Sequence, residues 1–385
     1  MKKIRVGFPL ISSAEWTGGF NYLHNLLSAV IAHQSSRIEP VLFCGEDARE
    51  DDVDRFKQLA HVQIVRSYAF NAARQRSSLS AAILWGLDAN VVDVFLSHQI
   101  DVLFENATFY GWRLPIPAIA WFPDFQHRRL REYFSRVAYF KREVGFRVQI
   151  ASKRVIMLSS EDARSDCERF YSGSIARTTV VRFATMMDPS LISEKPNAVL
   201  QEYGIREPFY YLPNQFWKHK NHDVVIEALG LLKREGCELL VVSTGNPRNF
   251  LHPDMFSQLE RKVSNLGLES NMRFLGMVPR DHVISLMRTC RGLLNPSFFE
   301  GWSSTVEEAR VFGTPMLLSD IPVHREQMGK DAHYFNPFEP VALSDLMRKC
   351  VQDVTCDVVP RNIQAEAAQN VVRFAQDFLK TVEWA

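Results

Sequence analysis

The chain alternates short apolar runs with helix-length segments of mixed polarity. In the first half, the runs are rich in β-branched and aromatic residues and lie at 3–10, 39–44, 101–104, 116–121 and 154–158. This alternation predicts a parallel β-sheet with helices on both faces, because each parallel strand needs a long crossover before the next one. The pattern then restarts, at 209–213, 238–244, 271–276, 292–296 and 314–319. We therefore expect an α/β protein with two doubly wound, Rossmann-like domains in tandem.

The two predicted domains meet in a segment of weak periodicity. Residues 184–200 contain two prolines and few regularly spaced apolar positions, as linkers do. We place the first domain at 1–195 and the second at 196–365. The last segment, 366–385, has apolar residues at helical spacing and no strand after it. It predicts a helix that packs back towards the first domain or caps the second.

Length and composition limit the class of protein. The 385 residues suffice for two ordinary domains, and 46% hydrophobic with 23% charged residues excludes a disordered chain. The 45 basic and 44 acidic side chains give a net charge of +1, so no overall field attracts nucleic acid. The six cysteines are scattered, and the N-terminal apolar run is too short for a signal peptide. We expect a cytoplasmic protein that binds no nucleic acid.

A glycine pair follows the first predicted strand. Gly18 and Gly19 precede a helical segment, where backbone N–H groups can approach an anion closely. The spacing is not the GxGxxG of dinucleotide sites. The pair therefore predicts either an anion contact or an ordinary turn.

A basic turn follows the first strand of the second domain. Asn214, Lys218 and Lys220 lie between the strand 209–213 and a helical segment. An ammonium group at the carboxyl end of a strand can neutralise a diphosphate. We interpret Lys220 in this way, whereas a solvated turn explains Lys218 equally simply.

The most informative segment runs from 295 to 309. A strand leads into a turn at Glu300 and Gly301. The helix that follows opens with three capping-type residues, Ser303, Ser304 and Thr305. Free N–H groups at such a start favour a phosphate, and the carboxylates of Glu300 and Glu308 can accept hydrogen bonds from sugar hydroxyls. The alternative, acidic residues that complement the helix dipole, explains Glu307 but not Glu300.

The pair Glu300 and Glu308, separated by seven residues, resembles the signature of retaining glycosyltransferase family 4. The family has the GT-B fold, in which two Rossmann-like domains face each other across a cleft. Other pieces fall in the expected order: the early glycine pair, the turn 214–220, and the segment 275–279 before a helix. The resemblance spans nearly the whole chain and is more specific in the second half.

The resemblance implies a role for individual residues. Glu308 would bind the ribose of a nucleotide sugar, Glu300 the hexose hydroxyls, and Lys220 would neutralise the leaving phosphate. The other implied donor-side residues are Gly18, Gly19, Gly301, Ser303, Ser304 and Thr305 near the diphosphate and Met277 with Val278 near the base. The family commonly has an arginine at the position of Asn214, so Lys218 would replace that cation.

The acceptor-side candidates are Asp124 and His127, just after the strand 116–121. Many family members place a histidine where this chain has Pro123, and a subset of bacterial polysaccharide transferases resembles the Pro-Asp-Phe-Gln-His found here. A structural alternative is open for both residues, with Asp124 as a helix cap and His127 as a packed ring.

Two charged segments complete the candidates. Residues 128–154 contain nine Lys or Arg with interleaved aromatic residues. This composition suits an anionic membrane surface or a lipid diphosphate acceptor, or else a solvated helix face. The acidic segment 46–54 contains Asp52 and Asp54 in a DxD pattern, which we interpret as solvated surface. We expect no metal and no cofactor other than the nucleotide-sugar co-substrate.

Taken together, the residues and the resemblance predict a retaining, metal-independent hexosyltransferase. It would use a GDP-, UDP- or dTDP-linked sugar and a glycan or lipid-linked glycan acceptor, in cell-surface polysaccharide or lipopolysaccharide synthesis. We expect it in the cytoplasm, at the inner face of the membrane. The alternatives are a GT-B-like nucleotide-sugar epimerase or phosphorylase, or a non-catalytic nucleotide-sugar-binding partner.

Overall fold

The computed structural model describes residues 2–106, 108–172, 177–186, 192, 195–247, 253–352 and 363–385. The chain forms two compact units. Unit 1 comprises Met1–Met186 and Gln369–Ala385, and unit 2 comprises Met187–Ala368. The first boundary between the units, after Met186, thus comes earlier than the predicted boundary at 195. The second boundary, before Gln369, comes later than the predicted boundary at 366. Residues 187–191 and 193–194 of the predicted linker lie outside the described ranges.

Unit 1 contains seven strands in one parallel sheet. They are β1 (Ile4–Pro9), β2 (Ile38–Cys44), β3 (Gln63–Arg66), β4 (Val102–Asn106), β5 (Ala118–Phe122), β6 (Val155–Leu158) and β7 (Thr178–Val180). The order in the sheet is β3-β2-β1-β4-β5-β6-β7. The sequence pattern did not predict β3 and β7. Both are short and lie at the two edges, where only part of each strand is buried and the apolar signal is weak.

The helices of unit 1 cover both faces of this sheet. They are α1 (Thr17–Gln34), α2 (Glu50–Lys57), α3 (Gln75–Leu84), α4 (Ala89–Ser97), α5 (Gln126–Arg129), α6 (Arg136–Ala151) and α7 (Glu161–Phe170). The long C-terminal helix, which we number α15 (Ile363–Trp384), adds its last residues to the same unit. Its Phe378 packs against Phe8 of β1 and Phe104 of β4, with ring centroids 5.9 Å apart in each case.

Unit 2 contains six strands in a second parallel sheet. They are β8 (Phe209–Pro213), β9 (Leu240–Thr244), β10 (Met272–Gly276), β11 (Gly292–Asn295), β12 (Met316–Ser319) and β13 (His333–Phe335). Its helices are α8 (Pro196–Glu202), α9 (His222–Arg234), α10 (Met255–Asn265), α11 (Arg280–Thr289), α12 (Ser304–Phe312), α13 (Pro322–Met328) and α14 (Pro340–Gln352). The order is β10-β9-β8-β11-β12-β13. Only β13, three residues at the edge, was not predicted.

The two sheets share one topology. In both, the chain first winds outward in one direction, returns to the middle, and then winds outward in the other direction. This is the doubly wound Rossmann order, which confirms the predicted fold class. The order reverses between β1 and β4 in unit 1 and between β8 and β11 in unit 2. In such sheets, ligands bind beyond the carboxyl ends of the strands at the reversal, which we call the switch point.

Two observations bear on the environment of the protein. No single helix in the described ranges is long and apolar enough to cross a membrane. Ala72–Leu84 and Ala89–Ser97 meet the length and composition test only as a pair, and they are bent by 96°. Cys44, Cys237 and Cys290 are free thiols, and Cys356 lies outside the described residues.

Candidate functional site

At the switch point of unit 2, a lysine and a glutamate from distant parts of the sequence form an ion pair. Lys220 ends a 3-10 helix (Lys218–Lys220) that follows β8, and Glu300 lies in the turn after β11. Lys220 Nζ is 2.5 Å from Glu300 Oε1, and both side chains are mostly buried. The structure therefore brings together the two residues that the sequence singled out in separate segments.

The loops that carry this pair are fastened to each other. Asn221, which follows Lys220, has a φ of 54°, a left-handed conformation that asparagine tolerates better than most residues. Its side-chain amide donates to Pro296 O at 3.1 Å and to Pro337 O at 2.8 Å. In addition, Phe298 N donates to His219 O at 2.8 Å. These hydrogen bonds fix the position of Lys220 against the loop after β11.

Glu300 is held by serines that the sequence analysis missed. The buried Ser297 hydroxyl lies 2.7 Å from Glu300 Oε1 and 2.8 Å from Asn295 Oδ1. Ser319, at the end of β12, donates its hydroxyl to Ser297 O at 2.6 Å. Isolated serines at strand ends have no distinguishing spacing, so only the fold identifies them.

The charges around Glu300 keep it ionised. Burial alone would raise the pKa of Glu300, but the positive charge of Lys220 outweighs burial and lowers it. At neutral pH, Glu300 is therefore a carboxylate that can accept hydrogen bonds. His324 is fully buried, and burial lowers its pKa to about 4, so its ring is neutral there.

The start of α12 lies beside this pair in sequence and is tightly capped. Ser303 is the N-cap, and its hydroxyl accepts from Val306 N at 3.4 Å and from Asn295 Nδ2 at 2.8 Å. Gln327 bonds to both backbone groups of Ser303, accepting from its N–H at 3.1 Å and donating to its carbonyl at 3.0 Å. The cap was predicted, whereas Asn295 and Gln327 were not.

The predicted ribose ligand, Glu308, lies one turn into α12 and pairs with Arg280. Arg280 Nη1 donates to Glu308 Oε2 at 3.0 Å, and Nη2 lies 2.6 Å from Oε1. The charge of Glu308 raises the pKa of Arg280. Arg280 directly follows the Met277–Pro279 segment after β10, so this ion pair joins α12 to the loop that the resemblance assigns to the base. The sequence analysis did not single out Arg280.

The neighbouring Glu307 has a different environment from Glu308. It is buried, its Oε1 accepts from Gln327 Nε2 at 3.0 Å, and its Oε2 lies 3.3 Å from Arg310 Nη1. Burial raises the pKa of Glu307, against the opposing effect of Arg310. Glu307 therefore has an internal structural role in addition to its place near the helix start.

The remaining donor-side predictions fall on both buried and exposed positions. Asn214 is buried, and its side-chain nitrogen has no hydrogen-bond partner among the described residues. Lys218 is exposed and shares a surface depression with Asp223 and Asp254. Met277 is largely exposed. The other positions range from half-buried to exposed: Val278, Gly301, Ser304 and Thr305.

In unit 1, the glycine pair has a structural use beside the anion contact considered above, which stays a prediction. Gly18 and Gly19 lie within the first turn of α1, which begins at Thr17. A Cβ on Gly19 would lie 2.3 Å from the Trp16 ring. The Trp16 ring in turn stacks on Trp121, at 5.3 Å between centroids. The structure therefore explains Gly19 by the space that the indole of Trp16 needs.

The interpretation of the DxD pattern as solvated surface is wrong for Asp52. Asp52 is 3% exposed and accepts from Ser13 N at 3.1 Å and from the Ser13 hydroxyl at 2.5 Å. It thereby fixes the loop between β1 and α1. Asp54 lies on the exposed side of α2, 2.7 Å from Lys57. The local sequence is strongly polar, and this polarity concealed the buried position of Asp52.

His127 is a packed ring, as in the structural alternative, whereas Asp124 lies one residue before Phe125, the N-cap of α5. Asp124 Oδ1 accepts from Gln126 N at 2.9 Å and lies 3.5 Å from Arg142. The His127 ring is fully buried, 3.3 Å from the Tyr171 hydroxyl and 3.4 Å from Glu143. Burial and then the charge of Arg142 lower the pKa of His127. In this position His127 cannot contact an acceptor directly, so that part of the prediction is corrected.

The basic stretch 128–154 is partly internal, in contrast to a uniformly solvated or membrane-facing surface. Arg128 pairs with Glu143, and Arg129 pairs with Asp162 and Asp166. Arg154 is buried and donates to Glu105 at 2.7 Å. The outward face of α6 instead carries five exposed residues, Arg136, Val137, Phe140, Lys141 and Val144. We call these five residues the α6 face.

Metal binding has no evident place in this arrangement. Within the part of the chain that the structure describes, no group of three or more His, Cys, Asp or Glu side chains is close enough to hold a metal ion. The cations next to Glu300 and Glu308 are the side chains of Lys220 and Arg280.

Comparisons with known proteins agree with this geometry. Residues 201–369 match the model of the family described as glycosyl transferases group 1. The O-antigen chain mannosyltransferase B of Escherichia coli is 24% identical over 259 residues, 66% of each chain. The serotype-specific mannosyltransferase WbdA of Escherichia coli is 23% identical over 184 residues, 48% of this chain but 22% of WbdA. The chain thus spans less than two thirds of the length of these relatives.

A solved structure extends the likeness to the whole chain. The Anabaena protein HepE in complex with UDP and glucose has a TM-score of 0.73 and 18% identity, and the match covers 99% of this chain and 100% of HepE. At this identity, the likeness establishes the fold. The two Rossmann-like units are those of the GT-B fold, and the segment that matches the glycosyl transferases group 1 model includes Lys220, Glu300 and Glu308.

Proposed function

We propose that the protein is a retaining glycosyltransferase that moves a hexose from a nucleotide diphosphate sugar to a glycan or lipid-linked glycan. The observation that carries the proposal is the buried Lys220–Glu300 pair at the switch point of unit 2. The names of the two mannosyltransferase relatives favour mannose as the sugar and an O-antigen-like glycan as the acceptor. The HepE complex with UDP and glucose supports a nucleotide-linked donor.

In this proposal, each charged group has a separate task. Lys220 neutralises the phosphate that leaves, and the first N–H groups of α12 bind the diphosphate, since they have no partners within the helix. Glu300 accepts hydrogen bonds from the hexose hydroxyls. Glu308, held by Arg280, accepts from the ribose, and the Met277–Val278 backbone lies against the base.

Catalysis then consists mainly of stabilising the leaving group. The bond between the anomeric carbon and the diphosphate breaks, and negative charge develops on the phosphate oxygens beside Lys220. Glu300 is already engaged by Lys220 and Ser297, so it orients the sugar and does not attack it. We propose that the acceptor hydroxyl attacks from the face that the diphosphate leaves and that its proton passes to the departing phosphate oxygen, which retains the anomeric configuration.

A thermal-shift series tests the donor site directly. UDP, GDP and dTDP are compared, because a ligand at about 100 times its Kd stabilises the folded state by about 2.7 kcal/mol. We expect one nucleotide to give a clearly larger shift and Lys220→Ala to reduce it. Equal and negligible shifts with all three would contradict a donor site in this unit.

The proposed mechanism requires no metal, and a chelator tests this point. Lys220 and the start of α12 supply the positive charge that a metal ion supplies in other phosphate sites. We expect turnover with the preferred nucleotide sugar to persist in EDTA. Loss of turnover that magnesium or manganese restores would contradict metal independence.

The acceptor side is proposed to involve the membrane through the α6 face. Val137, Phe140 and Val144 follow helical spacing and lie beside Arg136 and Lys141, a combination that suits an anionic lipid surface. The test is a Phe140→Ser/Lys141→Ser variant, because Arg128 and Arg129 have internal partners and their loss would disturb the fold. We expect weaker binding to anionic vesicles with unchanged nucleotide binding. Unchanged vesicle binding would show that the α6 face does not contact the membrane.

A further inference from the structure

Unit 1 also carries an exposed apolar surface that has no part in the proposed function. It consists of large hydrophobic side chains at the end of α3 and in the loop between β4 and β5: Leu79, Ile83, Leu84, Trp85 and Trp112. We call these five residues the tryptophan surface. Trp85 and Trp112 are 71% and 55% exposed. Single exposed apolar residues are common, but a group that includes two tryptophans indicates an interaction site.

The fold holds the two halves of this surface together. Trp112 Nε1 donates to Ile83 O at 3.5 Å, and Arg113 N donates to Gly86 O at 2.8 Å. Gly86 and Gly111 both have positive φ, and a Cβ on Gly111 would lie 2.0 Å from Gly86 O. Glycine is therefore required where the segments touch, and this contact places both tryptophans on one surface.

The charges of the same two segments have a single sign. Residues 72–87 and 108–117 contain three arginines and no aspartate or glutamate. Arg74 lies 3.4 Å from Asp88, whereas Arg76 and Arg113 are exposed. Arg113 also lies over the Trp112 ring, 5.9 Å from its centroid.

This composition complements one kind of partner. Tryptophan side chains favour the headgroup level of a bilayer, and leucine and isoleucine favour the acyl boundary below it. Exposed arginines gain energy at an anionic lipid surface, and the absence of carboxylates avoids repulsion there. Leu79 and Ile83, four residues apart on α3, lie on one side of that helix, as expected for a helix that rests in the interface.

We propose that the tryptophan surface docks the protein on an anionic lipid bilayer. It uses other residues than the α6 face, and it does not depend on donor binding in unit 2. The docking would bring unit 1 to the surface where a lipid-linked glycan is held.

The test measures binding of the full chain to vesicles of phosphatidylglycerol mixed with phosphatidylcholine, and to phosphatidylcholine alone. Co-sedimentation gives the partition coefficient, and brominated acyl chains quench the fluorescence of inserted tryptophans. The variants are Trp85→Ser/Trp112→Ser and Arg76→Ser/Arg113→Ser. The matched control is Trp384→Ser, which removes an exposed tryptophan at the end of α15.

We expect the tryptophan variant to lower partitioning at least about tenfold and to lose most of the quenching. The arginine variant should lower partitioning about fivefold per residue at low salt, and less at high salt. Trp384→Ser should leave partitioning unchanged. The thermal shift with the preferred nucleotide should stay the same in all variants, which separates this proposal from the proposed function.

Three results would overturn the proposal. One is a wild-type protein that does not bind anionic vesicles, and another is a tryptophan variant that binds them as the wild type does. The third is a variant that loses self-association in sedimentation equilibrium while vesicle binding is unchanged, because the surface would then join two copies of the chain. Trp85→Ser alone repeats the test if Trp112→Ser lowers the Tm, since Trp112 packs against the Gly86 turn.

Discussion

The switch points of the two units are built from the same residue types but use them differently. In unit 1, β1 ends at Pro9 and β4 at Asn106, and in unit 2, β8 ends at Pro213 and β11 at Asn295. Asn106 donates across the switch point to Pro9 O at 2.5 Å. Asn295 instead donates its side-chain amide to the Ser303 hydroxyl and accepts from the Ser297 hydroxyl. Ser303 caps the start of α12, and Ser297 contacts Glu300. An asparagine at the same place in the fold thus bonds to the backbone of the neighbouring strand in unit 1, whereas in unit 2 it positions residues of the candidate site.

The surroundings extend this difference. Beyond β1, the ring of Trp121 stacks on both Trp16 and Tyr22, and the centroids of Tyr22 and Trp121 are 3.8 Å apart. Beyond β8, the chain presents Lys220 to Glu300. One topology therefore supports an aromatic cluster in unit 1 and a charged, hydrogen-bonded site in unit 2, so the topology gives the position of a site and the side chains give its chemistry.

The largest effect is expected from Lys220→Ala, which removes the cation beside Glu300 at the switch point of unit 2. We expect kcat to fall by about 10²–10³, as for the loss of one preorganised charge-stabilising donor. KM should change less, because the charge develops mainly as the diphosphate leaves. The measurement is steady-state release of the nucleotide, with the exposed Lys349→Ala on α14 as the matched control.

A second variant separates catalysis from folding. Lys220→Ala leaves Glu300 buried without its partner, which can destabilise unit 2. Adding Glu300→Gln removes the unpaired charge and should restore the Tm but not kcat. If kcat returned as well, Lys220 would serve only to neutralise Glu300.

The next largest effect is expected from Glu308→Gln. The neutral amide loses charged hydrogen bonds to the ribose and the ion pair with Arg280, so nucleotide affinity should fall by about 10- to 150-fold. Titration calorimetry measures this change, and the exposed Glu260→Gln on α10 is the control. Wild-type affinity in Glu308→Gln would remove this residue from the proposed site.

The two asparagines offer the most direct test of the comparison. Asn106→Ala loses the hydrogen bond to Pro9 O and should cost about 0.5–1.5 kcal/mol of stability, with nucleotide affinity unchanged. Asn295→Ala should cost a similar amount and also weaken nucleotide binding, because Ser303 and Ser297 lose their partner. Urea unfolding and calorimetry on both variants decide the matter. Equal nucleotide affinities would show that Asn295, like Asn106, has a structural role alone.

The sequence predicted the fold well because parallel strands buried on both faces produce strong apolar runs. It missed β3, β7 and β13, where partial burial at a sheet edge weakens that signal. It singled out Lys220, Glu300 and Ser303, which lie in the turns and helix starts that come after strands. Ser297, Asn295, Gln327 and Arg280 were missed, because their importance comes from contacts across loops and elements that spacing does not encode.

The error at Asp52 in unit 1 has a related cause. Asp52 lies in a polar segment, and its partner Ser13 comes near it only in the folded chain. The polarity of the segment therefore gave no sign that this aspartate is buried.

The smallest effect on nucleotide binding and turnover is expected from a change in the pH dependence of stability, which compares a buried histidine of each unit. Burial, aided by the charge of Lys220, lowers the pKa of His222 to about 3. In the unfolded chain, a histidine binds a proton near pH 6.5, so between about pH 6.5 and 4 the unfolded state holds more protons than the folded state. The free energy of unfolding should therefore fall as the pH is lowered through this range, by up to about 1.4 kcal/mol per pH unit for each such histidine.

His222→Phe should remove one such contribution from the acid-side slope, because the ring already packs 4.8 Å from Phe216. The slope is measured by urea unfolding at several pH values between 4 and 7. His127→Phe in unit 1 should reduce the slope less, because Glu143 opposes the lowering of the His127 pKa and favours the protonated ring. An equal reduction in both variants would mean that the Glu143 carboxylate has little effect on His127. No reduction in His222→Phe would mean that His222 is not a neutral buried ring in the folded protein.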